Sequence, residues 1–190
     1  MRRMAAGPDV ATLLDGIVPT WTDRTVHGRA VAASPERVAE AMRETTLDDA
    51  AIASLLVAVR TRGRSRGHGL PLIQTGDFES GFVKLGQTDD EVCFGFIGRP
   101  WPGGAPERAP ADAAAFAAAE ALDAVKVAIS LRCAPAAYGT LLITETRIVA
   151  GPLAERPFGL YWRLVKPGSN LVRTSILRAI ARRAESGTLS

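Results

Sequence analysis

Thr140-Leu-Leu-Ile-Thr-Glu-Thr-Arg-Ile-Val149, a Gly151-Pro152 break, and the run from Phe158 to about Glu185 decide the fold. The first of these alternates and is rich in β-branched residues, as a strand packed on one face should be. The last repeats its apolar residues at helical spacing. Phe158, Tyr161, Trp162, Val165, Val172, Ile176 and Ile180 fall three, four or seven apart and make one stripe. Leu160, Leu164 and Leu171 read as widening that stripe, while Arg163, Lys166, Arg173, Arg178, Arg182 and Arg183 lie mostly away from it. At ~1.5 Å per residue this helix runs about 40 Å, enough to cross a small domain. Pro167 has no amide hydrogen and crowds the preceding turn, which predicts a kink that Gly168 loosens further. A helix with three large aromatics near its start needs a broad apolar surface to lie on.

The rest of the chain must supply that surface. Its 190 residues suit one domain with a substantial core, and 47% hydrophobic with 23% charged residues is the balance of a soluble globular protein. The net charge is only +3, and 20 of the 23 basic residues are arginine, a bias that reads as genome composition before it reads as a nucleic-acid surface. Cys93 and Cys133 are too few for a disulfide framework and suit small buried hydrophobes. The start, Met1-Arg-Arg-Met, opens like a signal peptide, but Asp9 and Asp15 cut any apolar run short. No stretch approaches the ~20 apolar residues of a membrane span. The expectation is a cytoplasmic, reduced domain over residues 21–190, preceded by a flexible lead-in over 1–20 with a short helix around Val10–Leu14.

Before the deciding stretch, residues 25–33 read as a first strand with His27, Arg29, Val31 and Ala33 on one face. Ser34-Pro35-Glu36 then starts a helix with a capping hydroxyl, a proline at the first position and an acid at the positive end of the dipole. Thr46-Leu-Asp-Asp starts a second helix that ends near Val59. Arg60-Thr-Arg-Gly-Arg-Ser-Arg-Gly-His-Gly69 reads as a solvated connector in preference to a phosphate or nucleic-acid contact, since it lacks the interleaved aromatics that single-strand binders stack bases on. Strands follow over 70–78, 82–86 and 91–97, with Val92, Phe94 and Phe96 sharing a face. Residues 111–122 are alanine-rich and helical by propensity. The run 126–132 alternates, with Val127, Ile129 and Leu131 inward and Lys126, Ser130 and Arg132 outward. Strands followed by a long helix indicate an α+β fold in which an antiparallel sheet curls round the terminal helix.

Several strings carry a family resemblance: His27-Gly-Arg-Ala-Val-Ala-Ala-Ser-Pro-Glu-Arg-Val38, Phe82-Val-Lys-Leu85, Glu91-Val-Cys-Phe-Gly-Phe-Ile-Gly-Arg-Pro-Trp101, Thr144-Glu-Thr-Arg147, and Tyr161-Trp162 through Pro167-Gly-Ser169. Together they resemble a bacterial branch of the START-like or SRPBCC superfamily, the helix-grip fold of lipid-transfer domains and polyketide cyclases. The resemblance spans residues 21–185. It implies about seven antiparallel strands folded round the C-terminal helix, two short helices after the first strand, and a cavity that holds an apolar small molecule. It also implies an irregular run into a strand where propensity gives a helix over 111–122.

No phosphate loop or dinucleotide fingerprint is present, and His27 and His68 with two scattered cysteines offer no metal-ligand spacing. No nucleophile elbow marks a serine hydrolase. The resemblance implies a binding protein, and the expectation is no cofactor, no metal, no catalytic residue and no nucleic-acid partner. Its pocket residues would be Phe94, Phe96, Val127, Ile129, Tyr161, Trp162 and Val165, with His27, Arg29, Glu145 and Arg147 as the polar end. Glu145 and Arg147 share one face of their strand. Either they line the cavity, Glu145 pairing with Arg29 or Arg147, or Thr144, Thr146 and Ile148 face inward and the charges form a ladder on the other side. The alternative function is a cyclase or dehydratase in which Glu145, Arg29, Arg147, His27 or Tyr161 moves protons.

Overall fold

The deciding stretch folds as read. In a computed structural model, which describes residues 11–46, 49–50, 82–104 and 110–186, the alternating run lies in a strand over Gly139–Ala150. It returns from a partner strand, Val125–Ala136, through the two-residue turn Ala137–Tyr138. Gly139 takes φ +114°, and a Cβ there would meet the carbonyl of Val31 on a neighbouring strand, so only glycine suits the position.

Five described strands form one antiparallel sheet: β1 (Asp23–Val31), β2 (Val83–Gln87), β3 (Glu91–Gly98), β4 (Val125–Ala136) and β5 (Gly139–Ala150), in the order β1-β5-β4-β3-β2. The expected count of about seven is thus five among the described residues. The predicted strand over 70–78, the second helix up to Val59 and the arginine loop lie outside them. Where that helix was expected to begin, the amide and hydroxyl of Thr46 donate to Asp49 at 2.8 and 3.0 Å.

Helix α1 is Leu13–Ile17, α2 is Pro35–Glu44, α3 is Ala113–Ala118 and α4 is Glu155–Ser186. The Ser34 hydroxyl accepts from the Arg37 amide, with Pro35 in the first turn, as its sequence requires. Helix α3 covers only the first part of the alanine-rich run, and the chain from Ala119 into β4 is irregular. Helix α4 has 32 residues, with Pro167 inside it. At Gly151, between β5 and α4, an added Cβ would collide with the Ala121 carbonyl, which makes the Gly-Pro break a packing requirement as well as a turn.

The sheet buries both faces. On the concave face α2 and the far half of α4 cover Val31, Val92, Leu131, Cys133 and Leu142, while the near half of α4 packs Phe158 on Val125, Val127 and Ile148. On the convex face α1 and α3 bring Leu14, Val18 and Phe116 onto Leu85, Cys93, Ile97 and Ala128. Residues 12–18, read from sequence as part of a loose lead-in, are therefore docked, with Leu14 and Val18 buried. Leu160, Leu164 and Leu171 correct another expectation: they are 61%, 82% and 55% exposed, on the outer side of α4 rather than in its stripe. A helix lying on a sheet offers it only a limited arc, and that arc is already filled by Phe158, Trp162 and Ile180. No described helix is long and apolar enough to cross a membrane.

Candidate ligand site between the sheet and helix α4

The register fixes which side chains meet α4. Directly paired residues point to one side of a sheet, so the concave face is a set of rows running across β1, β5, β4 and β3. One row is Asp23, Ile148, Val127, Phe96; the next is Thr25, Thr146, Ile129, Phe94; the third is His27, Thr144, Leu131, Val92. The middle of this face is therefore polar on its β1–β5 half and apolar on its β4–β3 half. Apolar clusters close it at either end, one around Phe158 and Ile148 and the other around Leu142, Leu177 and Ile180.

Helix α4 crosses above the polar half. Lys166 Nζ donates to Asp23 at 2.9 Å, and Asn170 Oδ1 lies 3.2 Å from His27 Nε2. Trp162 stacks on Phe158 with ring centres 5.6 Å apart and planes 19° from parallel. Phe94, Phe96, Ile129, Tyr161, Trp162 and Val165 are directed between helix and sheet, yet each keeps part of its surface accessible. Within the same band the hydroxyls of Thr25 and Thr146 and the indole N–H of Trp162 are buried without a hydrogen-bond partner. Thr146 is only 1% exposed. A buried polar group with no partner costs about 1–3 kcal/mol, so such groups are uncommon and rarely gather in one place.

Of the expected site residues, Phe94, Phe96, Val127, Ile129, Tyr161, Trp162, Val165 and His27 lie between sheet and helix. Arg29 shares the face of His27 by register but is exposed. Glu145 and Arg147 do not line this face. They pair with Val26 and Arg24 and point to the convex side, where α1 covers them. They are not a solvent-facing ladder either, being 4% and 3% exposed. Arg147 Nε donates to Glu145 at 2.7 Å, its two terminal nitrogens reach Val18 O at 2.9 Å and Asp15 at 2.6 Å, and its guanidinium lies 4.4 Å from the centre of the Trp21 ring. Arg24, not Arg29, is the second cation on Glu145, donating through Nε and Nη2 at 2.7 and 2.9 Å. Burial pushes the Glu145 carboxyl up, but the guanidiniums of Arg24 and Arg147 outweigh it and hold the group below its ordinary range. The Thr12 amide and then Arg147 draw Asp15 down to about 2.

Sequence reasoning did not single out Thr25, and it held Thr144 and Thr146 only as one of two open facings for their strand. The signal was present in the register: if Glu145 faces one way, its neighbours face the other. A second buried carboxylate was also missed. Glu91, 7% exposed, accepts from the Leu13 amide at 3.0 Å and from the Ser130 hydroxyl, tying α1 to β3 and β4. Among the described residues no three His, Cys, Asp or Glu side chains are placed to hold a metal ion.

No family model matches the chain, and no curated protein does. Among solved structures it is similar to the di-domain ARO/CYC StfQ from the steffimycin biosynthetic pathway, at 9% identity and a TM-score of 0.45 over 87% of this chain. It spans about half the length of StfQ, 51%. It is also similar to hypothetical protein jhp0584 from Helicobacter pylori, at 8% identity and a TM-score of 0.42, covering 97% of this chain and 99% of that one. Protein MLL2253 from Mesorhizobium loti gives 11% identity and a TM-score of 0.39, covering 84% of this chain and 98% of that one.

Proposed function

We propose that this chain binds a small, largely apolar molecule between the sheet and α4, with one polar group of that molecule set against the β1–β5 half. The reading rests on one observation: the band between the two apolar clusters is left with buried polar atoms that the protein does not satisfy itself. Its apolar wall of Phe94, Phe96, Ile129, Val127, Tyr161, Trp162 and Val165 supplies area. Thr25, Thr146 and the Trp162 indole supply direction, the usual division of labour in a ligand site. A molecule that fills the band gains apolar burial at ~25 cal/mol per Å² and relieves up to three stranded polar groups.

The cyclase-type alternative needs ionisable groups converging on the ligand. Two of its candidates, Glu145 and Arg147, sit on the far face of the sheet and neutralise each other there. His27, Tyr161 and the exposed Arg29 are what that alternative retains on the concave face. Native mass spectrometry of the protein isolated from its own host tests the proposal. A co-purifying apolar molecule, lost from a Thr146→Trp variant that fills the band, is the expected result. Protein that carries nothing, and whose Trp162 fluorescence is unchanged by any of a panel of apolar acids, alcohols and aromatics, overturns it.

A further inference from the structure

The helix contributes a charge to this band that no side chain among the described residues answers. Arg173 is four residues before Leu177 and seven before Ile180, which are 2% and 0% exposed, and seven after Lys166, which is bonded to Asp23 of β1. It therefore belongs to the sheet-facing side of α4, unlike Arg163 and Arg178, which are exposed. Asn170, one turn earlier, is level with His27, so Arg173 lies between the polar rows and the apolar cluster that holds Leu177. It is partly buried, and among the described residues no carboxylate or other acceptor pairs with it. Loss of hydration draws its pKa down to about 10, which leaves it a cation at neutral pH.

The other charged or titratable groups on this face do not answer it. Asp23 is the one acid among them in the described rows, and it is engaged by Lys166; His27 is held by Asn170, and Arg29 adds positive charge. We infer that the ligand carries an anionic head, a carboxylate or a phosphate monoester, that pairs with the Arg173 guanidinium. The inference builds on the proposed ligand band and names the chemistry of its occupant. A planar guanidinium fork matches the two oxygens of either head, and a charge-assisted hydrogen bond in a partly dehydrated site is among the stronger polar contacts available. Thr25 and Thr146 would then serve a further oxygen along the molecule.

The test titrates the full chain with dodecanoate, dodecyl phosphate and methyl dodecanoate, followed by calorimetry. Wild type is expected to bind at least one anion roughly ten- to hundred-fold more tightly than the ester, and the better of the two anions identifies the head. Arg173→Met removes that preference and leaves ester binding unchanged, whereas Arg163→Met, on the outer side of α4, changes neither. Arg173→Lys keeps the charge without the fork and retains part of the preference, so the comparison survives if the methionine variant does not fold. Equal binding of acid and ester by wild type, or an equal loss of both in Arg173→Met, overturns the inference and leaves the apolar band standing. If none of the three binds, the band itself fails and the anionic head with it.

Discussion

Arg147→Met is the sharpest test of how the convex face is built. The substitution keeps the aliphatic stem and removes the guanidinium, which is 3% exposed and serves Glu145, Asp15, the Val18 carbonyl and the Trp21 ring together. Removing one partner from a buried pair costs about 3–5 kcal/mol, because the remaining charge stays out of water without its counterion. Two features place this case at the lower end. Glu145 keeps Arg24, although that side chain is 44% exposed, and Asp15 is 47% exposed and can return to solvent. The Val18 carbonyl loses a donor, worth about 1–3 kcal/mol where it stays buried. The expected loss is about 3 kcal/mol, a fall in melting temperature of roughly 6–12 °C for a chain of this size.

Urea titration read by both circular dichroism and tryptophan fluorescence measures it. Arg183→Met, which removes exposed pairs to Glu44 and Asp49, serves as the control and should cost ~0–1 kcal/mol. The double variant Glu145→Leu/Arg147→Met should lose less than the two single changes added together, since no buried charge is left behind. A loss below ~1 kcal/mol for Arg147→Met, or strict additivity in the double variant, would refute the picture of a sealed ion cluster.

Other outcomes follow from the same geometry. Thr146→Val replaces a stranded hydroxyl by a methyl group of the same shape and should leave the empty protein equal or more stable by up to about 1 kcal/mol; a clear destabilisation in urea would show that the hydroxyl is satisfied after all. The folded pKa of Asp15 is about 2 against an ordinary 3.8, and Glu145 is also held below its ordinary 4.5. Both carboxylates therefore bind protons more tightly in the unfolded chain, so the stability they give is whole above about pH 4.5 and drains as the pH falls toward 2. In acid titrations Asp15→Asn should flatten that fall, and an unchanged slope would remove Asp15 from the cluster. Gly95→Ala would put a Cβ 2.7 Å from Leu85 Cδ1, 2.8 Å from Phe116 Cε2 and 2.9 Å from the Val127 carbonyl. It should cost about 1–3 kcal/mol by overpacking, and a neutral melting curve would mean that α3 sits more loosely on the sheet than described.

Much of this fold was legible because its elements are written in long periods. The alternation of 140–149, the cap at Ser34-Pro35 and the aromatic stripe of α4 each give one local solution, and all three agree. The facing of Glu145 and Arg147 was not legible, because alternation only divides a strand into two sets and does not say which set meets the helix. A charged pair ordinarily settles that choice by pointing to water. Here it points to a second layer, built by Leu14, Val18 and Phe116 from segments too short and too polar at Asp15 to announce themselves. The exposed leucines of α4 misled for a related reason: helical spacing groups Leu160 and Leu164 with the stripe, but only contact with the sheet sets its width.

The two faces of β5 make the case for the ligand band better than either does alone. On the convex side Glu145 and Arg147 bring charges to 4% and 3% exposure, and every one of those charges has a partner arranged around it. Between them on the same strand, Thr146 reaches 1% exposure on the concave side and has none, beside an equally stranded Thr25. A valine at 146 would cost nothing in volume and would spare a penalty of about 1–3 kcal/mol. A sequence that satisfies the harder groups and strands the easier ones, a residue apart, is not short of means to satisfy them. Under the proposed function the hydroxyls are half of a contact whose other half arrives with the ligand, on the side that faces α4.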